Sequence, residues 1–578
     1  MSTKKGSFLK IAKMLGKQKI IFIISLILAV INVALTLYTP VLIGNAIDCI
    51  VGKGNVDFDK ITNTIIKIII AIVLSAIMQW LMSVCNNKMT FSLIHDMRSL
   101  AFKKVQRLPI SYIDTHPYGD VVSRVISDVD TLSDGLLMGF TQLFTGIATV
   151  LGTVVLMFSI NWSIALIVVV LTPVSLLVAK FISDRTYSMF KKQSETRGIQ
   201  TAFIDEIVGN QKVIKAFGHG DVAIQKFEQI NENLRKYSLR ATFFSSMVNP
   251  STRIINAVIY ALVCLIGALT VISNPAFTVG ALSILLSYAS QYAKPFNEIS
   301  GVITELAAAK ASADRVFDFL EQTEEPSDEN KRHMPKAEGN VSMNDISFSY
   351  TPEKTLIDGI TLNFESGQQI AIVGPTGCGK TTLINLLMRF YDVTDGSITI
   401  DGEDIREVTR HSLRENYGMV LQETWLKSGT IRENITMGNP DATDEEIIAA
   451  AKSTHAHSFI KRLPNGYYTV IGEDGGNLSE GQKQLLCITR VMLCLPPMLI
   501  LDEATSSIDV KTEIHIQHAF ARLMKGRTSF VVAHRLSTIK HSDVILVMKD
   551  GNIIEHGNHK ELLKQKGFYY ELYNSQFA

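Results

Sequence analysis

Gln369-Ile370-Ala371-Ile372-Val373 runs straight into Gly374-Pro375-Thr376-Gly377-Cys378-Gly379-Lys380-Thr381. The first five residues read as a strand, and 382–390 after the glycines read as a helix. GxxxxGK[ST] between strand and helix is a phosphate loop. Its glycine-rich turn and helix start offer backbone N–H groups that cradle phosphates. Lys380 reaches the β/γ-phosphates, and the Thr381 hydroxyl can bind Mg²⁺. Cys378 is small enough for the loop and reads as packing rather than redox chemistry.

Further on, Met498-Leu499-Ile500-Leu501-Asp502-Glu503 is an apolar strand ending in two carboxylates. A strand this apolar is buried in a parallel sheet, so its acids emerge at the carboxyl end, beside the phosphates. Asp502 fits a Mg²⁺ ligand, and Glu503 is placed to polarise the attacking water. The fold expected for 341–578 is therefore an α/β nucleotide-binding domain. The polar stretch 321–340, with Pro326 and Pro335, reads as a linker.

The first 320 residues are made differently. The chain as a whole is 47% hydrophobic and 19% charged, against the roughly 25% charged of ordinary soluble domains. Stretches 20–47, 68–87, 135–179 and 254–293 carry no formal charge. A crossing helix needs about 20 apolar residues. The first two stretches suit one crossing each and the last two suit two each, divided at Ser159-Ile160-Asn161-Trp162 and Ser273-Asn274-Pro275. The expectation is an all-α domain, 1–320, with six spans near 20–47, 64–87, 135–159, 162–184, 248–272 and 276–300.

Six lysines and no acid precede the first span, which places the N-terminus inside. The apolar run that follows is far longer than that of a cleaved signal peptide. Residues 8–19 suit an amphipathic helix on the inner surface. The polar stretches 88–134 and 180–253 then also fall inside, as long helical extensions with tips near 111–119 and 209–217. These tips either dock onto something soluble or are solvated faces of a bundle. Gln79, at span depth, suits either a substrate cavity or an interhelical hydrogen bond. A net charge of +1 gives no basic excess for a nucleic-acid partner. Six cysteines without metal spacing exclude a disulfide scaffold.

Spans, phosphate loop, Leu478-Ser479-Glu480-Gly481-Gln482 and the strand ending in Asp502, in that order, resemble an ATP-binding cassette exporter half-transporter. The segment 478–482 is similar to the family signature LSGGQ. The resemblance implies ATP and Mg²⁺ as cofactors and a nucleotide contact from each of Gly374, Pro375, Thr376, Gly377, Cys378, Gly379, Lys380, Thr381 and Thr382. It implies that Tyr350 stacks on adenine and that Gln422 senses the γ-phosphate and Mg²⁺. It also implies that 506–509 talk across a dimer, that His534 contacts the γ-phosphate, and that 469–476 contact the membrane half.

In such a family one phosphate loop is covered by the signature of a second cassette, here Ser479, Glu480, Gly481 and Gln482. Two ATP molecules are sandwiched head to tail, and closing the sandwich drives alternating access. Glu480 departs from the pattern, because the family has glycine there. A carboxylate near a γ-phosphate is unfavourable, and glycine allows the closest backbone approach. The resemblance then extends to the catalytically competent subunit of a bacterial heterodimeric multidrug exporter, whose partner supplies an intact LSGGQ. A homodimer whose Glu480 points away from the phosphates is the alternative.

The expected function is ATP-driven export of hydrophobic or amphipathic small molecules, drug- or lipid-like, from a multi-pass position in a bacterial cell membrane with the nucleotide-binding domain cytoplasmic. Export of a peptide or another dedicated substrate is the second expectation. The lack of a peptidase domain before the first span argues against a processing exporter, and an importer commonly carries its spans on a separate chain.

Overall fold

A computed structural model describes residues 10–11, 13–14, 16–50, 56–274, 276–351, 354–421, 424–472, 475–476, 478–502, 508–532 and 536–577. The chain divides into two compact units. One holds 1–108 and 116–323, and the other holds 109–115 and 324–578.

The first unit is all helix. Lys19–Asp48, Phe58–Arg107, Trp162–Gly209, Val248–Ser273 and Val279–Leu320 are its long members. Between the second and third of these, Tyr118–Val125 and Ser127–Met138 lead through a π-helical turn, Gly139–Leu143, into Phe144–Ile160. The third uncharged tract breaks where its sequence says it should. Asn161 is extended, and its side chain accepts from the Ser163 and Ile164 N–H groups, capping the next helix. Trp162–Gly209 ends at Asn210, and Gln211–Ala216 forms a short tip before Gly220–Ser246 returns. Pro40 and Pro173 lie inside their helices.

Five helical runs are long and apolar enough to cross a membrane among the described residues: Lys19–Asp48, Phe58–Arg107, Tyr118–Ile160, Trp162–Gly209 and Gly220–Ser273. Helix Val279–Leu320, where the sixth span is expected, is not one of the five. Gln291, Lys294, Asn297 and Glu298 dilute its apolar stretch. Gln79 is an interhelical residue: its Oε1 accepts from Asn32 Nδ2 at 2.7 Å, and Ser75 Oγ donates to Asn32 Oδ1 at 2.7 Å. Such pairs between membrane helices contribute about 0.6 kcal/mol each. The expected surface helix 8–19 lies partly outside the described residues. Within it Ile11 is buried and Lys10 pairs with Glu321.

The second unit is α/β. Its main sheet has six strands in the order Asn552–Gly557, Val544–Lys549, Gln369–Val373, Thr528–Val532, Met498–Asp502, Tyr417–Val420. All neighbours are parallel except the first pair. The central strands are apolar throughout because both faces are covered. Ile370, Ile372, Ile500, Phe530, Val532 and Leu546 face one core, shared with the antiparallel sheet of Val341–Phe348, Ile357–Phe364, Asp395–Ile400 and Glu403–Asp404. Ala371, Val373, Leu499, Leu501, Val531 and Val547 face the other, shared with helices such as Asp444–Ser453 and Glu480–Cys494.

Most of the stretch that reads as a linker is fastened to this unit. Arg410 donates to Asp328 and to the Pro326 carbonyl, and Asn416 accepts from the Ala337 N–H. Asp401 accepts from the N–H groups of Glu338, Gly339 and Asn340. Burial raises the Asp401 pKa, but these hydrogen bonds outweigh it and hold the carboxylate below its ordinary range.

Candidate ATP site

The phosphate loop springs from the carboxyl end of Gln369–Val373 and ends in helix Lys380–Leu387. Strand register fixes what stands beside it. Ile372 pairs with Val532, and Val532 pairs with Asp502, so the Asp502 carboxylate emerges level with the start of the loop. Tyr417–Val420 ends at the same level, with Val420 opposite Leu501. Three parallel strands therefore deliver their chemistry to one edge, as open α/β sheets do.

The loop geometry demands its glycines. Gly374 has φ +153°, and a Cβ there would lie 2.3 Å from the Met548 carbonyl oxygen. Gly377 and Gly379 also take positive φ, with Gly379 opening the helix. Pro375, Thr376 and Gly377 are exposed, while Cys378 is buried. The Cys378 carbonyl accepts from the Gly551 N–H at 3.1 Å, which agrees with a packing role. The Lys380 ammonium donates to the Gly374 and Pro375 carbonyls at 2.8 and 3.0 Å, curling over the loop. A cradle of exposed backbone with a lysine at its rim fits the β- and γ-phosphates of a nucleotide.

The two threonines that follow diverge. Thr381 is exposed at the loop's end. Thr382 is buried, and its hydroxyl shares a 3.1 Å hydrogen bond with the Tyr350 hydroxyl. Tyr350 is half-exposed and meets Phe348 and Tyr391 edge-on at 4.9 and 5.1 Å. Its hydrogen bond to Thr382 places it beside the phosphate-loop helix. Tyr391 and its partner Asp114 carry no sequence motif, and only the folded chain brings them to this cluster.

The signature segment is built as a helix start. Ser479 caps Glu480–Cys494: its side chain accepts from the Gln482 N–H, and Gln482 Oε1 accepts from the Ser479 N–H. Glu480 lies in the first turn, where the helix dipole favours an acid. Its carboxylate accepts from Lys483 Nζ at 2.8 Å. This helix packs in the second core, and Lys380–Leu387 packs in the first. Glu503, His534 and Gln422 lie outside the described residues, as do 506–507 of the expected dimer-contact loop and 473–474 and 477 near the signature. Within that loop Asp509 caps helix Val510–Met524 by accepting from the Thr512 N–H at 3.0 Å.

A family profile described as the ABC transporter transmembrane region matches residues 22–296, and one described as ABC transporter matches 357–506. The chain is 38% identical to the uncharacterized ABC transporter ATP-binding protein YfiC of Bacillus subtilis (strain 168), over 99% of this chain and 94% of that protein. It is 41% identical to the fatty acid ABC transporter ATP-binding/permease protein of Mycobacterium bovis (strain ATCC BAA-935 / AF2122/97), over 90% of this chain and 82% of that one. A solved bacterial Atm1-family ABC exporter with ATP bound superposes with a TM-score of 0.77 at 25% identity, covering 98% of this chain and 99% of its own. Helical transmembrane unit, phosphate-loop unit and full-length relatives agree, and this chain belongs to the ABC transporter family as an exporter half-transporter whose ATP-binding domain hydrolyses ATP to drive transport.

Proposed function

We propose that the chain exports hydrophobic or amphipathic small molecules by alternating access, as the catalytically competent half of a heterodimer in a bacterial cell membrane. In this reading six spans cross the membrane, the N-terminus and nucleotide-binding domain face the cytoplasm, and membrane lipid surrounds the first unit. The half-transporter architecture calls for a second cassette. The phosphate loop and the signature helix of one chain pack in different cores, and in this reading the signature of another chain completes the nucleotide that the loop holds.

The residues divide the labour as follows. Tyr350 carries adenine, the loop N–H groups and Lys380 hold the phosphates, and Glu503 takes a proton from the attacking water. His534 and Gln422 contact the γ-phosphate. Thr381, Gln422 and Asp502 would hold Mg²⁺, whose charge offsets that of the phosphate oxygens. An exposed hydroxyl and a strand-end carboxylate at one sheet edge are the oxygen donors this cation takes.

Glu480 carries the choice of a heterodimer. Its pairing with Lys483 favours the homodimer alternative, since the carboxylate has a partner on its own helix. The Glu480 side chain is 59% exposed, however, and exposed pairs are worth about 0–1 kcal/mol. That is too little to offset a carboxylate set against a γ-phosphate. Affinity purification of the tagged chain from its native host tests the reading. Recovery of a second cassette chain with an intact LSGGQ is the expected result, and recovery of this chain alone as a dimer contradicts it.

A further inference from the structure

The first long helix, Lys19–Asp48, has two unlike faces. Ser25, Ala29, Val33 and Leu37, at intervals of four, are buried. Ile20, Ile23, Ile24, Ile27 and Ile31 are exposed. Helices that meet inside a membrane approach one another through small and polar residues, because lipid tails are as apolar as leucine. The buried face begins with such residues, and the isoleucine face is of the kind that hydrocarbon covers.

At the foot of the isoleucine face lies a cavity of about 760 Å³. Lys19, Phe22 and Ile23 line it from this helix, and Leu136 and the π-helical turn line it from the start of the third proposed span. Phe22 meets Phe140 and Phe144 edge-on at 6.0 and 5.8 Å, so three rings form one wall. Lys19 carries the only polar side chain among the described residues that line the cavity. Protein interiors keep few voids larger than a water molecule, and an apolar cavity of about 150 Å³ already takes up benzene. A space of this size and lining suits hydrocarbon.

Its level follows from the six-span reading. Lys19 stands at the inner end of the first span, and Leu136 at the inner end of the third. Leu306, which also lines the cavity, lies about 9 Å past the inner end of the sixth at ~1.5 Å per residue. All three mark the inner boundary of the hydrocarbon, where the tails of inner-leaflet lipids begin.

We propose that this cavity holds one acyl chain of an inner-leaflet lipid, which enters past Ile23 from the isoleucine face. The chain fills the space between the first helix and the π-helical turn, and Ile11 of the N-terminal segment packs on its side. The lining reads the chain and not the headgroup. The site goes beyond the export reading but rests on its orientation, with the N-terminus inside.

The test places p-benzoylphenylalanine at Phe140 of the complete exporter, in vesicles of equal phosphatidylglycerol and phosphatidylcholine, with adducts mapped by mass spectrometry after irradiation. A lipid adduct at 140 is expected, with the two headgroups within threefold of each other. Gly16 also lines the cavity, and a Cβ there meets only Lys19 Cε within 4 Å, at 3.6 Å, so a larger side chain can be seated. Gly16→Trp should therefore fill the cavity and cut the adduct at least tenfold. The same probe at Ile27, on the isoleucine face outside the cavity, should keep its lipid adduct in Gly16→Trp. If Gly16→Trp fails to assemble, Ile23→Trp fills the cavity from the other side with the same expectation. The proposal is overturned by no lipid adduct at 140, or by one that the filling variant leaves unchanged, since bulk lipid then explains it. An adduct to a polypeptide, or a tenfold preference for one headgroup, also overturns it. Lys13→Cys separates this site from the orientation. Impermeant maleimide should label it beyond the wild type in inside-out vesicles and not in intact cells. That pattern without a lipid adduct at 140 removes the site alone, whereas labelling in intact cells removes the orientation and the site with it.

Discussion

The Tyr391 hydroxyl donates to the Asp114 carboxylate at 2.6 Å, although 277 residues separate them. Asp114 belongs to Pro109–Thr115, the one stretch of the first 323 residues that packs in the nucleotide-binding unit. Burial, and then the neighbouring Asp114 carboxylate, push the Tyr391 phenol well above its ordinary range, so it stays protonated and able to donate. Tyr391 also touches Tyr350 edge-on at 5.1 Å. The short helix at 110–115 is thereby linked to the proposed adenine platform by two aromatic rings.

Removing that hydroxyl should loosen the short helix without emptying the ATP site. A hydrogen bond to a charged group contributes about 1.5–3 kcal/mol. Tyr391→Phe is expected to raise hydrogen exchange of amides 110–115 about tenfold or more, with ATP affinity changed less than threefold. Asp114→Asn should add little to it, since both changes break one bond. Unchanged exchange in Tyr391→Phe would show that the bond holds nothing.

Gly481 in the signature helix has no room for a side chain. A Cβ there would lie 2.4 Å from Thr512 Cγ2 and 3.0 Å from Ile508 Cγ2. Overpacking of this kind costs about 1–3 kcal/mol. Gly481→Ala should lower the Tm of the nucleotide-binding unit, and Thr512→Ser, which deletes the clashing methyl, should restore much of it. Additive losses in the double variant would contradict the steric account.

His455 is expected to make the nucleotide-binding unit sensitive to acid. It takes φ +63°, its Nε2 is buried without a hydrogen bond, and its ring stacks on His515 at 4.7 Å with His518 at 6.2 Å. Burial first, then His515, Arg522 and His518, depress its pKa. The folded state therefore favours the neutral ring, and the unfolded chain takes the proton first. The contribution is complete above the unfolded pKa of about 6.5 and is lost as pH falls from there toward the lower folded value. Thermal unfolding of the full chain should shift down between about pH 7.5 and 5.5. His455→Asn, which tolerates the left-handed backbone, should shrink that shift by at least half. An undiminished shift would place the sensitivity elsewhere.

The phosphate loop and the two-domain division were legible in the sequence because both are local. Gly374, Gly377 and Gly379 are required by backbone angles, and an uncharged tract announces itself by composition alone. A division of the third tract at 159–162 was legible too, but that Asn161 caps the next helix came only with the fold. What was not legible depends on distant pairs. Nothing in a list of residues says that Tyr391 meets Asp114, or that 324–340 is bound to Arg410, Asn416 and Asp401 rather than free to link. The Glu480–Lys483 pair lay in plain view at i,i+3 spacing, yet its exposure could not be read. Lys294 ended the fourth uncharged tract, but helix periodicity alone did not tell which neighbours it faces. Gln79 suits two roles by sequence, and the neighbouring Asn32, distant in sequence, decides for the interhelical one.

Hydrolysis-driven transport is the central claim, and Glu503→Gln reads it most directly. Sealed inside-out vesicles carrying the complete exporter would be given ATP and a lipophilic dye, with phosphate release and dye uptake followed together. A positioned general base contributes about 10²–10⁴-fold. The expected result is ATP-dependent uptake by the wild type, with both turnover and uptake lowered about a hundredfold or more in Glu503→Gln. Wild-type turnover in that variant, or wild-type hydrolysis with no uptake of dye, palmitate or peptide, would contradict it.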